Sequence, residues 1–350
     1  MMKTGRLILD CQYGSTGKGL IAGYLAEKNG PDTLITAWAP NAGHTYIDGN
    51  GRKFVHTMLA NGIVSKNFKR LMVGPGSVIN VANLLAEIEA CKDLVSLDQV
   101  YIHPHAAVVF QSHRDQEVQT MTAIGSTSKG TGAAMMQRIL RDPKSMNVAK
   151  QALLDTPLEG RVVTVDQWME ILQYGAEHVQ IEGAQGFSLS IYHGQYPYTT
   201  SRDVTTAQVL ADCGIPRGMG IYMEVVGTCR TFPIRVANRY DVHGRQVGFS
   251  GPHYEDQTET TFAEIGQEQE LTTVTQLPRR IFTYSRKQIE QAVLMNGVDT
   301  MFLNFANYAT EEQLDQIAGH IRSLTQLGWL GWGPTAYDVH NANTAGAWRK

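Results

Sequence analysis

Blocks of apolar residues alternate along this chain with segments whose apolar positions recur at helical spacing. The blocks at 6–9, 33–38, 70–73, 100–103, 162–165, 179–182, 220–226 and 300–304 are short and mostly uninterrupted, as strands buried on both faces read. Between them, 19–29, 81–91, 133–141, 166–174, 205–212, 286–295 and 310–327 carry the helical period. Strand and helix in turn predict an α/β fold, a large and mostly parallel sheet flanked by helices. No repeat and no low-complexity linker divides the sequence, so residues 1–350 are expected to form a single domain. Two excursions from its core are expected near 105–160 and 230–285, the second because 238–262 is polar and rich in turn residues.

Composition narrows the class. A chain of 350 residues can bury a substantial core. Its net charge of −3 and lack of any Lys/Arg run argue against a nucleic-acid partner, so any nucleotide it takes is expected to be small. No apolar stretch approaches the ~20 residues of a membrane span. Cys11, Cys91, Cys213 and Cys229 lie far apart with no C-x-x-C pair, which fits reduced thiols. The start, Met-Met-Lys-Thr-Gly-Arg, runs straight into the first strand and does not read as a signal peptide. A soluble, cytoplasmic protein without a membrane partner is expected.

Candidate chemistry sits where strands end. The first strand empties into Asp10-Cys-Gln-Tyr-Gly-Ser-Thr-Gly-Lys-Gly19. Gly14, Gly17 and Gly19 let backbone N–H groups approach phosphate oxygens, and Lys18 opens the following helix with positive charge. The spacing is not the usual Walker pattern, and a Gly-rich turn taken alone fits a simple tight turn equally well. A second strand leads into Trp38-Ala-Pro-Asn-Ala-Gly-His-Thr-Tyr46. There Asn41 and Thr45 offer hydrogen bonds, Gly43 permits close approach, and His44 can act as acid or phosphate donor, although a lone histidine is more often structural. Two such turns would converge at the carboxyl edge of one sheet, where α/β proteins place ligands.

Further along, Ile124-Gly-Ser-Thr-Ser-Lys-Gly-Thr-Gly132 offers hydroxyls and Lys129 to a monophosphate, or is a flexible loop. In Ile181-Glu-Gly-Ala-Gln-Gly186, the Gln185 amide can both donate to and accept from a base edge. Thr200, within Tyr196-Pro-Tyr-Thr-Thr-Ser201, suits a phosphate, and the threonines and Arg279 of Leu271–Arg280 suit an anionic co-substrate. His103-Pro-His105 has metal-like spacing, but without a nearby Cys or carboxylate it is not read as a zinc site.

In this order the segments resemble the adenylosuccinate synthetase family across nearly the whole chain. That family typically reads G-x-Q-W-G-D-E-G-K-G, N-A-G-H-T, G-T-T-G-R-G-I-G, E-G-A-Q-G, Y-P-x-V-T-S-S and T-T-G-R-R-R-R. The matching stretches here are 12–19, 41–45, 125–132, 182–186, 196–201 and 273–280. The resemblance implies the P-loop-like fold of that family, a homodimer, and a ligase that forms a C–N bond. Such enzymes phosphorylate the 6-oxygen of a purine nucleotide and let the aspartate amine displace the phosphate.

Carried over residue by residue, the resemblance implies Ser15, Lys18, His44 and Gln185 as catalytic. Ser15, Asn41, Thr127, Arg141, Gln185 and Thr200 correspond to the nucleoside-monophosphate site, with Arg141 reaching from the partner subunit. Gly14, Ser15, Thr16, Gly17, Lys18, Gly19, Gly43, His44, Thr45, Arg279, Asn304, Asn307, Gly331 and Gly333 correspond to the triphosphate site. Thr273, Val274, Thr275 and Arg279 correspond to the aspartate loop, and Ser15 with the Gly43 carbonyl would ligate Mg²⁺.

Departures from the pattern bear on the substrate. The family's catalytic aspartate aligns with Ser15, its guanine-reading T-K-x-D with Asn304-Phe-Ala-Asn307, and a ribose-reading arginine with Leu277. Asn in place of Asp suits adenine better than guanine in the triphosphate. Loss of the arginine suits a deoxyribose, and the small Ser15 leaves room for the 2-amino group of guanine. Together these resemble the bacteriophage branch of the family, which makes N6-succino-2-amino-2'-deoxyadenylate from dGMP, L-aspartate and ATP for diaminopurine synthesis. Three alternatives stay open: an ordinary family member using IMP and GTP, a P-loop-like kinase or ATPase, and a purine-nucleotide-binding protein without catalysis.

Overall fold

Buried apolar side chains at consecutive positions, rather than alternate ones, mark the central strands of this protein, so its sheet is covered on both faces. The computed structural model describes residues 3–124, 126–144, 146–272, 276–344 and 348. Among these, nine strands form the main sheet: β1 (Lys3–Asp10), β2 (Thr33–Thr36), β3 (Arg70–Val73), β4 (Val100–Ile102), β5 (His178–Glu182), β6 (Ile221–Arg230), β7 (Thr300–Asn304), β8 (Gln326–Gly331) and β9 (Val339–Asn341). Their order is β9-β8-β7-β6-β1-β5-β2-β3-β4, parallel throughout except for the edge pair β8–β9. The mostly parallel α/β sheet expected from the sequence is the fold observed.

Side-chain alternation divides the core into two layers. Ile8, Leu34, Leu71, Val226 and Phe302 point to one face and pack with helix α1 (Lys18–Asn29) and helix α2 (Val81–Ala90). Leu7, Leu9, Ile35, Ile181, Met301 and Leu303 point to the other, beneath helices Arg286–Asn296 and Glu311–Leu324. The register matters most for the site. Asp10 lies opposite Thr228, Ile8 and Thr36 both lie opposite Glu182, and Arg230 lies opposite Asn304. The chain therefore leaves β1, β2, β5, β6 and β7 at one carboxyl edge, and the loops that follow share one space.

Several expected elements differ. Residues 162–165 form no strand: Val162 makes a single bridge to Ile102. The Thr164 hydroxyl then accepts from the Gln167 N–H at 3.1 Å and starts a helix at Val165. The helix expected over 310–327 stops at Leu324. Thr325 turns extended, donates its hydroxyl to the Val298 and Asp299 carbonyls, and hands the chain to β8. Helix Gln111–Thr120 was not anticipated, because it is polar around its whole circumference. The segment 230–285 carries small antiparallel pairings instead of coil, Ile234–Arg235 and Glu259–Thr260 on either side of Arg280–Phe282. All four cysteines are buried and free, and no described helix is long and apolar enough to cross a membrane.

Candidate active site

The loops at the carboxyl edge enclose a cavity of about 430 Å³. Its floor is the turn between β1 and α1. Gly17 adopts φ +94°, which glycine reaches without strain, and it directs the chain into α1, whose N-terminus no side chain caps. Ser15 sits at φ +56° and is exposed to the cavity.

Beneath the turn lies Asp10, fully buried. Its Oδ1 accepts the N–H groups of Gln12 at 2.8 Å and Gly14 at 3.2 Å. Its Oδ2 accepts the Thr16 hydroxyl at 2.5 Å and the Lys18 ammonium at 3.2 Å. Lys18 also donates to the Gln185 carbonyl at 2.8 Å, bringing the E-G-A-Q-G loop onto the cradle. Gln185 holds φ +64°, and its amide donates to Asn41 Oδ1 at 3.1 Å.

The second loop is fixed by Trp38, whose indole N–H donates to the Glu182 carbonyl at 2.6 Å. His44 stacks on that indole with centroids 3.9 Å apart. Its Nδ1 is buried without a hydrogen-bond partner. Burial, with Lys18 and then His56 adding repulsion, holds the imidazole well below the ordinary histidine pKa, so it is neutral. Gly43 and Thr45 line the same wall.

The third wall comes from 126–132 and the helix Thr131–Leu140 behind it. Here the Glu117 carboxylate accepts from the N–H groups of Gly130 (2.7 Å), Gly132 (2.6 Å) and Ala133 (3.3 Å), a side-chain anion at a helix N-terminus. Thr127, Thr131 and Thr200 line the cavity nearby, and the Thr131 hydroxyl is buried without a partner. Opposite stands Arg279. It donates to Ser15 Oγ at 2.6 Å and to the Leu271 carbonyl at 3.1 Å. Burial pushes its pKa down to about 10, against the pull of Glu270. Glu270 is clamped by the fully buried Arg230 at 2.5 Å, and that guanidinium lies 3.7 Å from the Phe305 ring centroid.

The structure thus brings together Gly14–Gly19, Asn41, Gly43, His44, Thr45, Thr127, Gln185, Thr200, Leu277 and Arg279 around one cavity. It does not bring in Asn304, Asn307, Gly331 or Gly333. Asn304 is buried behind Gly17, its amide donating to the Thr16 carbonyl at 3.2 Å and accepting from the Phe305 N–H at 2.9 Å. Its polar atoms support the cradle. Arg141 is exposed at the end of Thr131–Leu140 and does not line its own chain's cavity. Thr273, Val274 and Thr275 lie outside the described residues. Sequence reasoning missed Asp10, Glu117, Arg230 and Glu270. Only Asp10 carried a signal, a carboxylate closing a buried strand at the mouth of a Gly-rich turn.

The sequence profile of the family described as adenylosuccinate synthetase matches residues 7–157 and 145–318. The chain belongs to the adenylosuccinate synthetase family. It is 46% identical, over 97% of its length and 93% of the relative's, to the N6-succino-2-amino-2'-deoxyadenylate synthase of Acinetobacter phage SH-Ab 15497. An adenylosuccinate synthetase of Methanococcus aeolicus is 31% identical over 88% of this chain and 86% of its own. A solved structure, cyanophage S-2L succinoaminodeoxyadenylate synthetase (PurZ) bound to dGMP and dATP as an energy donor, superposes with a TM-score of 0.92. Its identity is 45%, covering 99% of this chain and 97% of that one. As a member of this family the chain is a ligase forming a C–N bond.

Proposed function

We propose that residues 1–350 act as one domain that ligates L-aspartate to dGMP through a 6-phosphoryl intermediate, with ATP or dATP as phosphoryl donor. The product is N6-succino-2-amino-2'-deoxyadenylate. The observation that carries this reading is the 46% identity to a phage enzyme of that name over nearly both full lengths, against 31% to an adenylosuccinate synthetase. A serine at position 15 facing the cavity supports it.

In this reading, Lys18 and the turn Gly14–Gly19 hold the transferring phosphoryl group while neutral His44 donates to it as charge develops. Preorganised donors of this kind supply most of the catalysis in phosphoryl transfer. Asn41, Thr127, Gln185 and Thr200 bind the nucleoside monophosphate. Arg279, with Thr273, Val274 and Thr275, receives the aspartate carboxylates. The guanine O6 attacks the terminal phosphorus and ADP or dADP leaves, after which the aspartate amine displaces phosphate at C6. Ser15 positions the purine and does not serve as base, because a neutral hydroxyl is a poor proton acceptor and the Arg279 guanidinium donating to its oxygen makes it poorer. The N1 proton passes to water or to a phosphate oxygen.

Mg²⁺ would neutralise the phosphate charge that builds during transfer. The Gly43 carbonyl fits as its ligand, since Gly43 lines the cavity and its carbonyl accepts no hydrogen bond among the described residues. Ser15 fits less well, because the Arg279 guanidinium that donates to its oxygen places a positive charge where the cation would sit. The cavity carboxylates Glu117 and Glu270 are already paired, so phosphate and water would have to supply the remaining ligands. A homodimer in which Arg141 completes the neighbouring site accords with its exposure. The apolar Met136, Ile139 and Leu140 are exposed just before it. The site is expected to work in the cytoplasm of the host cell.

The deciding experiment incubates the protein with dGMP or IMP, ATP, dATP or GTP, and aspartate, and identifies products by mass. Succino-2-aminodeoxyadenylate with ADP or dADP is expected. A product from IMP and GTP alone overturns the substrate assignment. Triphosphate hydrolysis without aspartate points to a kinase or ATPase, and dGMP binding without ADP release to a pure binding protein.

A further inference from the structure

We infer that Asp10 is a positioning residue for phosphoryl transfer, acting as an internal anion that assembles the cradle and fixes Lys18 before any nucleotide arrives. An ionised carboxylate has about four acceptor sites, and all of those on Asp10 are used. Oδ1 takes the N–H groups of Gln12 and Gly14, and Oδ2 takes the Thr16 hydroxyl and the Lys18 ammonium. Thr16 has one proton, which the carboxylate requires, so at 2.5 Å its oxygen accepts from the Thr228 hydroxyl, whose proton is shared with the Leu9 carbonyl at 3.2 Å. The side chain is fully buried and lines no part of the cavity. Asp10 therefore cannot take a proton from substrate, and it is not a replacement for the missing base.

What it can do is order the turn. Lys18 has three donors. One goes to Asp10 and one to the Gln185 carbonyl, leaving the third for a phosphate at a fixed place. A free lysine carries about 2 kcal/mol of rotamer entropy; the Asp10 contact holds it in the geometry needed for transfer, at the cost of competing with ATP phosphates for the same ammonium. The carboxylate also restrains Gly14 and Thr16, on either side of Ser15. The family pattern opens G-x-Q-W-G-D-E-G-K-G, so this chain lacks the carboxylates at positions 15 and 16 and gains one at position 10. The gained group faces inward, under the turn. This assignment rests on the reading of Lys18 as the phosphoryl-holding residue.

The test compares Asp10→Asn, which keeps shape but loses charge, with Asp10→Gly, which restores the family's residue and guards against a failure of the first variant to fold. ADP formation is followed with ATP, dGMP and aspartate, alongside ATP affinity by calorimetry. We expect kcat to fall ~30-fold or more without a rise in the KM for ATP. ATP affinity should increase several-fold, because Lys18 loses its internal partner. In a Lys18→Ala background, Asp10→Asn should leave ATP affinity unchanged, as groups acting through one another are non-additive. A kcat within threefold of the unsubstituted protein, a KM rise accounting for the loss, or an equal effect on affinity with and without Lys18 overturns the inference. If the unsubstituted protein makes no product from dGMP, the substrate reading fails instead, and the calorimetric cycle still decides the role of Asp10.

Discussion

Arg279 donates to the Ser15 hydroxyl at 2.6 Å, joining the turn after β1 to the loop that ends in Arg279-Arg280. A hydroxyl beside a guanidinium is a weaker proton acceptor, since the nearby charge disfavours a second positive charge. Ser15 can still donate, and it fills little space. Ser15→Asp would put a carboxylate against Arg279, at a left-handed φ that aspartate tolerates, and would crowd the room left for a 2-amino group. The expected outcome is a fall in the dGMP/IMP ratio of kcat/KM by about tenfold or more. Steady-state kinetics with both nucleotides measure it, and an unchanged ratio removes Ser15 from the specificity argument.

Lys18→Ala should separate binding from chemistry. The ammonium bridges Asp10 and the Gln185 backbone carbonyl at the cavity floor, and among the described residues it donates to neither Thr127 nor Thr200. The variant should bind dGMP within about threefold of the unsubstituted affinity while ADP release falls by ~100-fold or more, the scale of one lost electrostatic donor. Calorimetry and a coupled ADP assay give the two numbers. Turnover near the starting rate would show that the cradle does not hold the transferring group.

Gly186 tests how tightly the E-G-A-Q-G loop must fit the turn. A Cβ there would stand 2.4 Å from the Gln12 carbonyl, 2.5 Å from the Gly14 nitrogen and 2.7 Å from Asp10 Oδ1. Two of these are backbone atoms that cannot rotate away. Gly186→Ala should therefore destabilise the protein by about 1–3 kcal/mol, as overpacking does. Turnover should be lost even below the unfolding midpoint, because the turn must shift. Denaturant melts and rates at reduced temperature check both parts, and a fully active, equally stable variant would contradict the packing.

The parallel sheet was legible because doubly buried strands such as β1 and β7 read as continuous apolar blocks. The edge strands β8 and β9 were not, since Gln326 and Leu327 continue the helical period of Glu311–Leu324 and only Thr325 breaks it. Ligand-facing residues on Gly-rich turns were legible too, as Gly14–Gly19 and Asn41–Thr45 combine small residues with donors at strand ends. The residues holding those turns were harder to see. Glu117 lies in a uniformly polar helix, and its role depends on a contact thirteen residues away with Gly130. Glu270 and Arg230 meet only in the folded chain, forty residues apart.

Buried neutral histidines make this protein acid-sensitive, and His56 offers a clean measure of it. Burial, then Arg52, lowers its pKa from 6.5 to about 4, and the side chain is 2% exposed. His44, His103 and His178 are shifted in the same direction, each mainly by burial. For such a group the unfolded chain binds the proton first. Its penalty on folding is absent above pH ~6.5 and grows as pH falls towards the folded pKa. At pH 5, His56 alone costs about 2 kcal/mol by this linkage. Glu182 acts oppositely: burial raises its pKa to about 7, so protonation favours the folded state between pH ~4.5 and 7 and offsets roughly one histidine. Stability from urea melts should therefore drop between pH 7.5 and pH 5. In His56→Gln that drop should shrink by about 2 kcal/mol, whatever the substitution costs at pH 7.5. An identical drop in both proteins would mean that His56 titrates in the folded state as it does in the unfolded chain.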